Sequence, residues 1–291
     1  MRFYDFIFSY ILFLDFYLKG FIRYYKHFKN FFSVSIRVII NKYPIHAVLK
    51  NGTSITLNGR FEVASIAVGF DNYTINDGIL VIKNKLGTIK LLHGAQNGDP
   101  IGVFFDEVYK VLPAKDQTIL DVGANIGDSA IYFALKGARK IIAIEPFPAN
   151  YELAKKNIEL NNLQKIIHVD LAGCSNKSGF LTVDNKKNGG GASLTSSRTG
   201  TKIPLFSLEN ILEQNNLNSA ILKMDCEGCE YDSILKTDDK IIKKFSTIII
   251  EYHYGYQNLV EKLENCGFQV EKTPPMYYSN YHIGYIYATK N

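Results

Sequence analysis

An α/β fold, built on a doubly wound and mostly parallel sheet, is what this chain predicts, on three observations. From about residue 116 onward, short apolar runs alternate with helical patterns. The run Thr118 to Ser129 reads as a buried strand, a glycine turn and the first turn of a helix. Lys140 to Glu145 then supplies the second strand of a βαβ unit. Two late runs, near 268–272 and 282–288, are joined irregularly, which fits an antiparallel edge pair.

The elements follow in order. The first 32 residues hold nine Phe and five Tyr. Phe6 to Leu18 is almost wholly apolar but too short to span a bilayer, which takes about 20 apolar residues. On a helix, Asp5, Ser9, Asp15, Lys19, Arg23 and Lys26 fall on one stripe and the rest is aromatic or aliphatic. Two placements of residues 1–30 stay open: packing on protein, either the chain's own body or a second copy in a homo-oligomer, and peripheral contact with a membrane surface through Lys19, Arg23, Lys26 and Lys29. Next comes a small β-rich cap. Ala47 to Leu57 turns at Asn51-Gly52, a hairpin signal, and Ile79 to Leu92 reads as a second hairpin. A helix over 101–112 leads to Pro113. The expected division is 1–115 and 116–291.

In the main region the strands are expected at 118–122, 140–145, 166–171, 220–225, 246–252 and the late pair. The helices are expected near 127–136, 148–161, 207–215, 227–236 and 257–266. Asn185 to Thr201, with Gly189-Gly190-Gly191 at its centre, reads as a loop, either a lid over the substrate or an idle surface segment.

Composition sets bounds. The chain has 291 residues, 46% hydrophobic and 21% charged, which is globular. A net charge of +5, spread along the chain, demands no nucleic acid. Four cysteines suggest no disulfide framework and fit a reducing cytosol. Cys226 and Cys229 have redox or zinc spacing. No second pair completes a tetrahedral site, so they read as small buried residues and no metal is expected there.

The glycine turn and the acid after it carry the first chemistry. Glu145, at the tip of the second strand, suits a ribose, whose two hydroxyls donate to a carboxylate. A dinucleotide loop needs a glycine in the middle to admit a pyrophosphate. Here Asn125 stands between Gly123 and Gly127, which disfavours NAD. S-adenosylmethionine has no pyrophosphate. Asp121 at the strand tip suits its ammonium, directly or through water, and the amides after Gly123 suit its carboxylate.

The second constellation is Ala220 to Glu230. Ile221, Lys223 and Asp225 share one strand face, and a lysine inside a covered strand needs a partner. Asp225 faces the crevice at the strand's carboxyl end. Glu227 and Glu230 lie three apart on the next helix. Glu251, at the end of the strand that follows, and His253 just beyond it are expected to reach the same crevice.

With these motifs together, the chain resembles the FkbM family of S-adenosylmethionine-dependent methyltransferases. The resemblance covers about 118–270. It rests on Asp121-Val-Gly-Ala-Asn-Ile-Gly-Asp128, Ile144-Glu145-Pro146-Phe147-Pro148, Lys223-Met-Asp225-Cys-Glu227-Gly228-Cys-Glu230 and Glu251-Tyr-His253. It implies a Rossmann-like class I methyltransferase sheet and transfer to a hydroxyl of a sugar, glycan or small metabolite. It implies cofactor contacts at Asp121, Gly123, Asn125, Gly127, Glu145 and Pro146. It implies substrate-side chemistry at Asp225 and His253, with Lys223 and Glu230 holding the site. Asp170, the nearest acid for an adenine amino group, sits in a run that lets it lie inside a strand. The carboxylates Asp225, Glu227, Glu230 and Glu251 offer a less favoured variant, a divalent cation that polarises the hydroxyl. The rival readings are an NAD-dependent oxidoreductase or epimerase and a non-catalytic methyltransferase-like interaction protein. A cytoplasmic enzyme, peripheral at a membrane if residues 1–30 bind lipid, completes the expectation.

Overall fold

A computed structural model describes residues 18, 20–57, 59, 63, 66–67, 73–76, 79–92, 99–185, 195–278 and 281–290. It divides into two compact units, Met1–Glu107 and Val108–Asn291. Most of the expected aromatic helix, 1–17 with Lys19, and the centre of the expected lid, 186–194, lie outside the described residues.

In the first unit, α1 (Phe31–Ile39) precedes β1 (Ile45–Val48) and β2 (Ser54–Leu57), which pair antiparallel around the Asn51-Gly52 turn. Phe28, Val34, Ile45, Ala47 and Leu57 close a small core between helix and hairpin. Then come β3 (Tyr73–Asn76), β4 (Ile79–Asn84) and β5 (Gly87–Leu92), one antiparallel sheet. Leu80, Ile82, Ile89 and Leu91 alternate into its buried face. The short α2 (Asp99–Phe104) stops well before the expected residue 112. Glu107 adopts φ 50°, a left-handed conformation that a helix cannot continue through. Leu18, Phe21, Ile22, Tyr25, Phe32, Ile36, Ile39 and Ile40 are exposed apolar side chains in this unit. No helix among the described residues is long and apolar enough to cross a membrane.

The second unit contains β6 (Thr118–Val122), α3 (Asp128–Leu135), β7 (Lys140–Glu145), α4 (Pro148–Leu160), β8 (Ile167–Leu171), β9 (Gly173–Cys174), β10 (Gly179–Val183), β11 (Thr201–Phe206), α5 (Leu208–Gln214), β12 (Ala220–Met224), α6 (Cys229–Leu235), α7 (Asp239–Ile242), β13 (Phe245–Tyr252), α8 (Gln257–Asn265), β14 (Gln269–Lys272), β15 (Met276–Tyr278) and β16 (Tyr281–Thr289). Its main sheet runs β14-β16-β13-β12-β6-β7-β8, with β15 on β16. The strands from β13 to β8 are parallel, and β16 runs antiparallel between β13 and β14. This is the doubly wound sheet with an antiparallel edge that the alternation predicts. Every residue of β6 and β12 is buried, as strands covered on both faces require.

Sequence patterning missed the side sheet β10-β11-β9, which branches off after β8. β9 is only two residues long, and the Gly/Ser-rich stretch before β11 masks the start of that strand. The order of the main sheet also sets the site: β6 and β12 are neighbours, so the loops at their carboxyl ends lie side by side.

Candidate functional site

The register of β6 on β12 places Asp121 directly opposite Lys223. Both are buried, and Lys223 Nζ lies 3.0 Å from Asp121 Oδ1. Ser129 Oγ donates to the other carboxylate oxygen at 2.6 Å. Lys223 Nζ also donates to the Gly123 carbonyl at 2.7 Å and sits 5.8 Å above the Tyr109 ring. Burial opposes the charge on Lys223, but Asp121 and Asp225 overcome it and hold its pKa above the ordinary lysine value. Asp121 is enclosed and turned to Lys223 and Ser129. The reason is that a buried lysine must be matched by a charge, and Asp121 supplies it.

The loop after β6 is set by its own backbone. Gly123 and Ala124 N–H both donate to the Ile144 carbonyl at 3.0 Å. Gly123 has φ 79°, and a Cβ there would meet the Asp225 carbonyl oxygen at 1.7 Å. Only glycine lets the two loops touch. Asn125 is left-handed at φ 49°, and its N–H donates to Glu145 Oε2 at 2.8 Å. Phe147 N–H donates to Glu145 Oε1 at 2.9 Å. Glu145 is therefore buried, aligned by two amides, and next to half-buried Pro146. Burial drives its pKa up to about 8, against the two amides, which lower it. Asn150 Nδ2 donates to Asn125 Oδ1 at 2.6 Å, while Asn150 Oδ1 is buried and has no hydrogen-bond partner among the described residues. Gly127, at φ 84°, opens α3. Asp170 lies inside β8 and meets His168 at 3.1 Å.

At the end of β12, Asp225 N–H donates to the Val122 carbonyl at 3.0 Å, which ties the second loop to the first. Glu227 (φ 57°) and Gly228 (φ 115°) turn the chain before α6 begins at Cys229. Glu227 thus lies in the loop rather than on the helix, a correction to the expected helix start. Cys226 and Cys229 form a disulfide, a second correction. The two thiols were expected to be free and buried; the left-handed pair between them folds the loop back and brings the sulfurs together. The pair removes one support for a reducing compartment. Cys174 and Cys266 remain free and buried.

Glu230, fully buried, accepts from Cys226 N–H at 3.0 Å and Gly228 N–H at 2.8 Å. Its Oε1 also lies 3.1 Å from His253 Nδ1. His253, just past β13, is 2% exposed and turns Nε2 to Glu227 Oε2 at 3.3 Å and Asp225 Oδ1 at 3.8 Å. Burial lowers its pKa, but Glu230, Asp225 and Glu227 outweigh that and raise it to about 9. Glu251 joins this cluster: donor atoms of Asp225, Glu251 and His253 all lie within 4.8 Å of one another. Tyr285, on β16, hydrogen-bonds to Glu251 and has its pKa raised by burial and by that carboxylate. Sequence reasoning did not find Tyr285 or Tyr109. Each is one tyrosine among 19, without a spacing to mark it.

Lys223, Asp225, Glu230 and His253 are thus gathered at one place, with Gly123 against them. Asn125, Gly127 and Glu145 line the neighbouring loop.

Comparison with known proteins agrees on the type of domain. The model of the methyltransferase FkbM domain matches residues 121–270. Methyltransferase 1 of Beauveria bassiana (strain ARSEF 2860) is 26% identical over 201 residues, 60% of this chain and 81% of that protein. Uncharacterized protein 158B of Sulfolobus islandicus rod-shaped virus 1 is 51% identical over 41 residues, 14% of this chain and 26% of that one. Among solved structures, M. capricolum TrmK in complex with S-adenosyl-homocysteine has a TM-score of 0.42 at 16% identity, covering 64% of this chain and 67% of that one. Precorrin-6y C5,15-methyltransferase from Geobacter metallireducens GS-15 has a TM-score of 0.36 at 14% identity, covering 61% and 81%. The FkbM match runs from Asp121 on β6, through both loops and past His253, to Val270 on β14, more than half of the chain: the protein belongs to the FkbM methyltransferase family.

Proposed function

We propose that the chain transfers a methyl group from S-adenosyl-L-methionine to a hydroxyl, of a sugar, a glycan or a small metabolite. The observation that carries this reading is Glu145. It is a buried carboxylate at the carboxyl end of a parallel strand, in the place where such sheets take ligands. Each of its oxygens accepts one amide and keeps a further lone pair. Two ribose hydroxyls match those lone pairs, and the buried Asn150 Oδ1 offers a third acceptor. These residues fit an adenosine. When bound, the cofactor supplies a methyl on a sulfonium, already activated for transfer.

This chain's own residues then position and deprotonate. The Gly123 turn and the Asp225 loop, locked to each other, fix acceptor against donor; such positioning supplies about 7–11 kcal/mol of a barrier. Asp225 takes the acceptor proton. His253 is a poorer base, because its neighbours keep it protonated at neutral pH. Glu230 sets the ring of His253 and the backbone of the loop. Lys223 holds Asp121 and Gly123 behind them.

Asn125 argues against a dinucleotide. Its side chain occupies the position that must be bare for a pyrophosphate and is already engaged with Asn150. The carboxylates Asp225, Glu227 and Glu251 argue against a nucleic-acid acceptor, since a phosphate backbone is repelled there. The exposed apolar side chains between Leu18 and Ile40 support a contact surface in the first unit, on lipid or on a second copy. The test is S-adenosylhomocysteine release with hydroxyl acceptors, using wild type and Asp225→Asn. The substitution is expected to keep cofactor binding and lose turnover. Normal turnover in Asp225→Asn sinks the assignment.

A further inference from the structure

We propose that Asp225, Glu251 and His253 form a binding site for one divalent first-row cation, Mn²⁺ being the fitting probe. The geometry starts from the histidine. Its Nδ1 is committed to Glu230, which is itself fully buried and clamped by two amides. A carboxylate on one ring nitrogen fixes the tautomer and orientation of the other, as at metal-bound histidines. The other nitrogen, Nε2, faces Asp225 and Glu227 at 3.8 and 3.3 Å, and an ion bound there takes the place of its proton, which is released to solvent. Donor atoms of Asp225, Glu251 and His253 fall within 4.8 Å of each other. Ligands held at about 2.0–2.2 Å from one ion lie within about 4.4 Å of one another. A contraction of a few tenths of an ångström would close the set.

Charge leads to the same place. Two carboxylates, Asp225 and Glu227, face Nε2, and Glu251 adds a donor atom to the same group. The mixed oxygen and imidazole set suits a first-row ion rather than calcium. The Asp225 and Glu227 side chains are 28% and 23% exposed, so an ion can enter from solvent. Such an ion polarises an oxygen bound to it. The use of the site in methyl transfer rests on the function proposed above; the site itself does not.

The experiment is titration of the full chain with Mn²⁺, by calorimetry and by loss of the free-ion electron paramagnetic resonance signal. It is paired with S-adenosylhomocysteine titration on the same samples. Wild type is expected to bind one Mn²⁺. Glu251→Gln, which keeps the Tyr285 hydrogen bond, and Asp225→Asn are each expected to weaken it at least tenfold with an unchanged thermal midpoint. Wild type that binds S-adenosylhomocysteine but not Mn²⁺ overturns the site and spares the cofactor assignment. Mn²⁺ binding unaffected by both substitutions also overturns it. Mn²⁺ binding without S-adenosylhomocysteine binding upholds the site and sinks the cofactor assignment instead.

Discussion

Cofactor binding should expel a proton from Glu145. With its carboxyl raised to about 8, about nine molecules in ten carry that proton at pH 7. Ribose hydroxyls donate to the carboxylate and favour its charged form. If they return it to its ordinary value of 4.5, binding at pH 7 releases about 0.9 proton. Affinity then climbs with pH, about tenfold per unit below 8, and is about fifty-fold weaker at pH 6 than at pH 8. The assay is calorimetry of S-adenosylhomocysteine binding at pH 7 in phosphate and in Tris, whose ionisation heats differ. The apparent enthalpy should differ by about 0.9 of that difference. Glu145→Gln has no proton to lose, so its enthalpy should not depend on the buffer. Equal enthalpies for wild type in both buffers, or an equal buffer effect in Glu145→Gln, refute the reasoning. The sign for the ligand-free protein is the reverse of that of a salt-bridged acid. The folded pKa lies above the unfolded one, so stability is lost as pH rises from 4.5 through about 8, by about 5 kcal/mol at most.

Three further outcomes are expected. Lys223→Met leaves the charge of Asp121 buried and unmatched, at a cost of about 3–5 kcal/mol in urea unfolding. Adding Asp121→Asn should recover part of that loss, and strict additivity of the two changes would show that they do not interact. Gly123→Ala drives a Cβ into the Asp225 carbonyl, so S-adenosylhomocysteine binding should fall at least tenfold by calorimetry; native affinity would mean that the contact is not needed. The Cys226–Cys229 bridge closes a short loop, so its reduction should lower stability by no more than about 2 kcal/mol. Melts with and without a phosphine reductant measure this, and global unfolding on reduction would contradict it.

The legible parts of the sequence are those in which one physical requirement leaves one residue pattern. A strand covered on both faces must be continuously apolar, so β6, β7 and β12 stood out. A tight strand-to-helix turn needs glycine, so Gly123 and Gly127 stood out. Lys223 was legible as a residue in need of a partner, but the partner was not, because it depends on sheet order. Asp121 and Lys223 are 102 positions apart and become neighbours only when β12 lies beside β6. Cys226 and Cys229 failed for a similar reason: their pairing depends on two left-handed residues, Glu227 and Gly228, and only the glycine announces itself. The side sheet β9 to β11 carries no such constraint and stayed hidden.

The two halves of the site differ in electrostatic character, and the difference follows from which charges are matched. Around Gly123 the charges cancel: Asp121 is paired with Lys223, and Glu145 is mostly protonated at neutral pH. That half is close to neutral, and suits a sugar ring. Around Asp225 the carboxylates Asp225, Glu227, Glu230 and Glu251 gather with His253. Carboxylates gathered in a half-buried crevice attract a cation. The sulfonium of a methyl donor and a divalent ion both fit there. Because Gly123 and Asp225 touch through their backbones, the neutral half and the negative half are held at fixed separation. A ligand that is a neutral nucleoside at one end and a cation at the other is therefore matched end to end, and a dinucleotide, negative in the middle, is not.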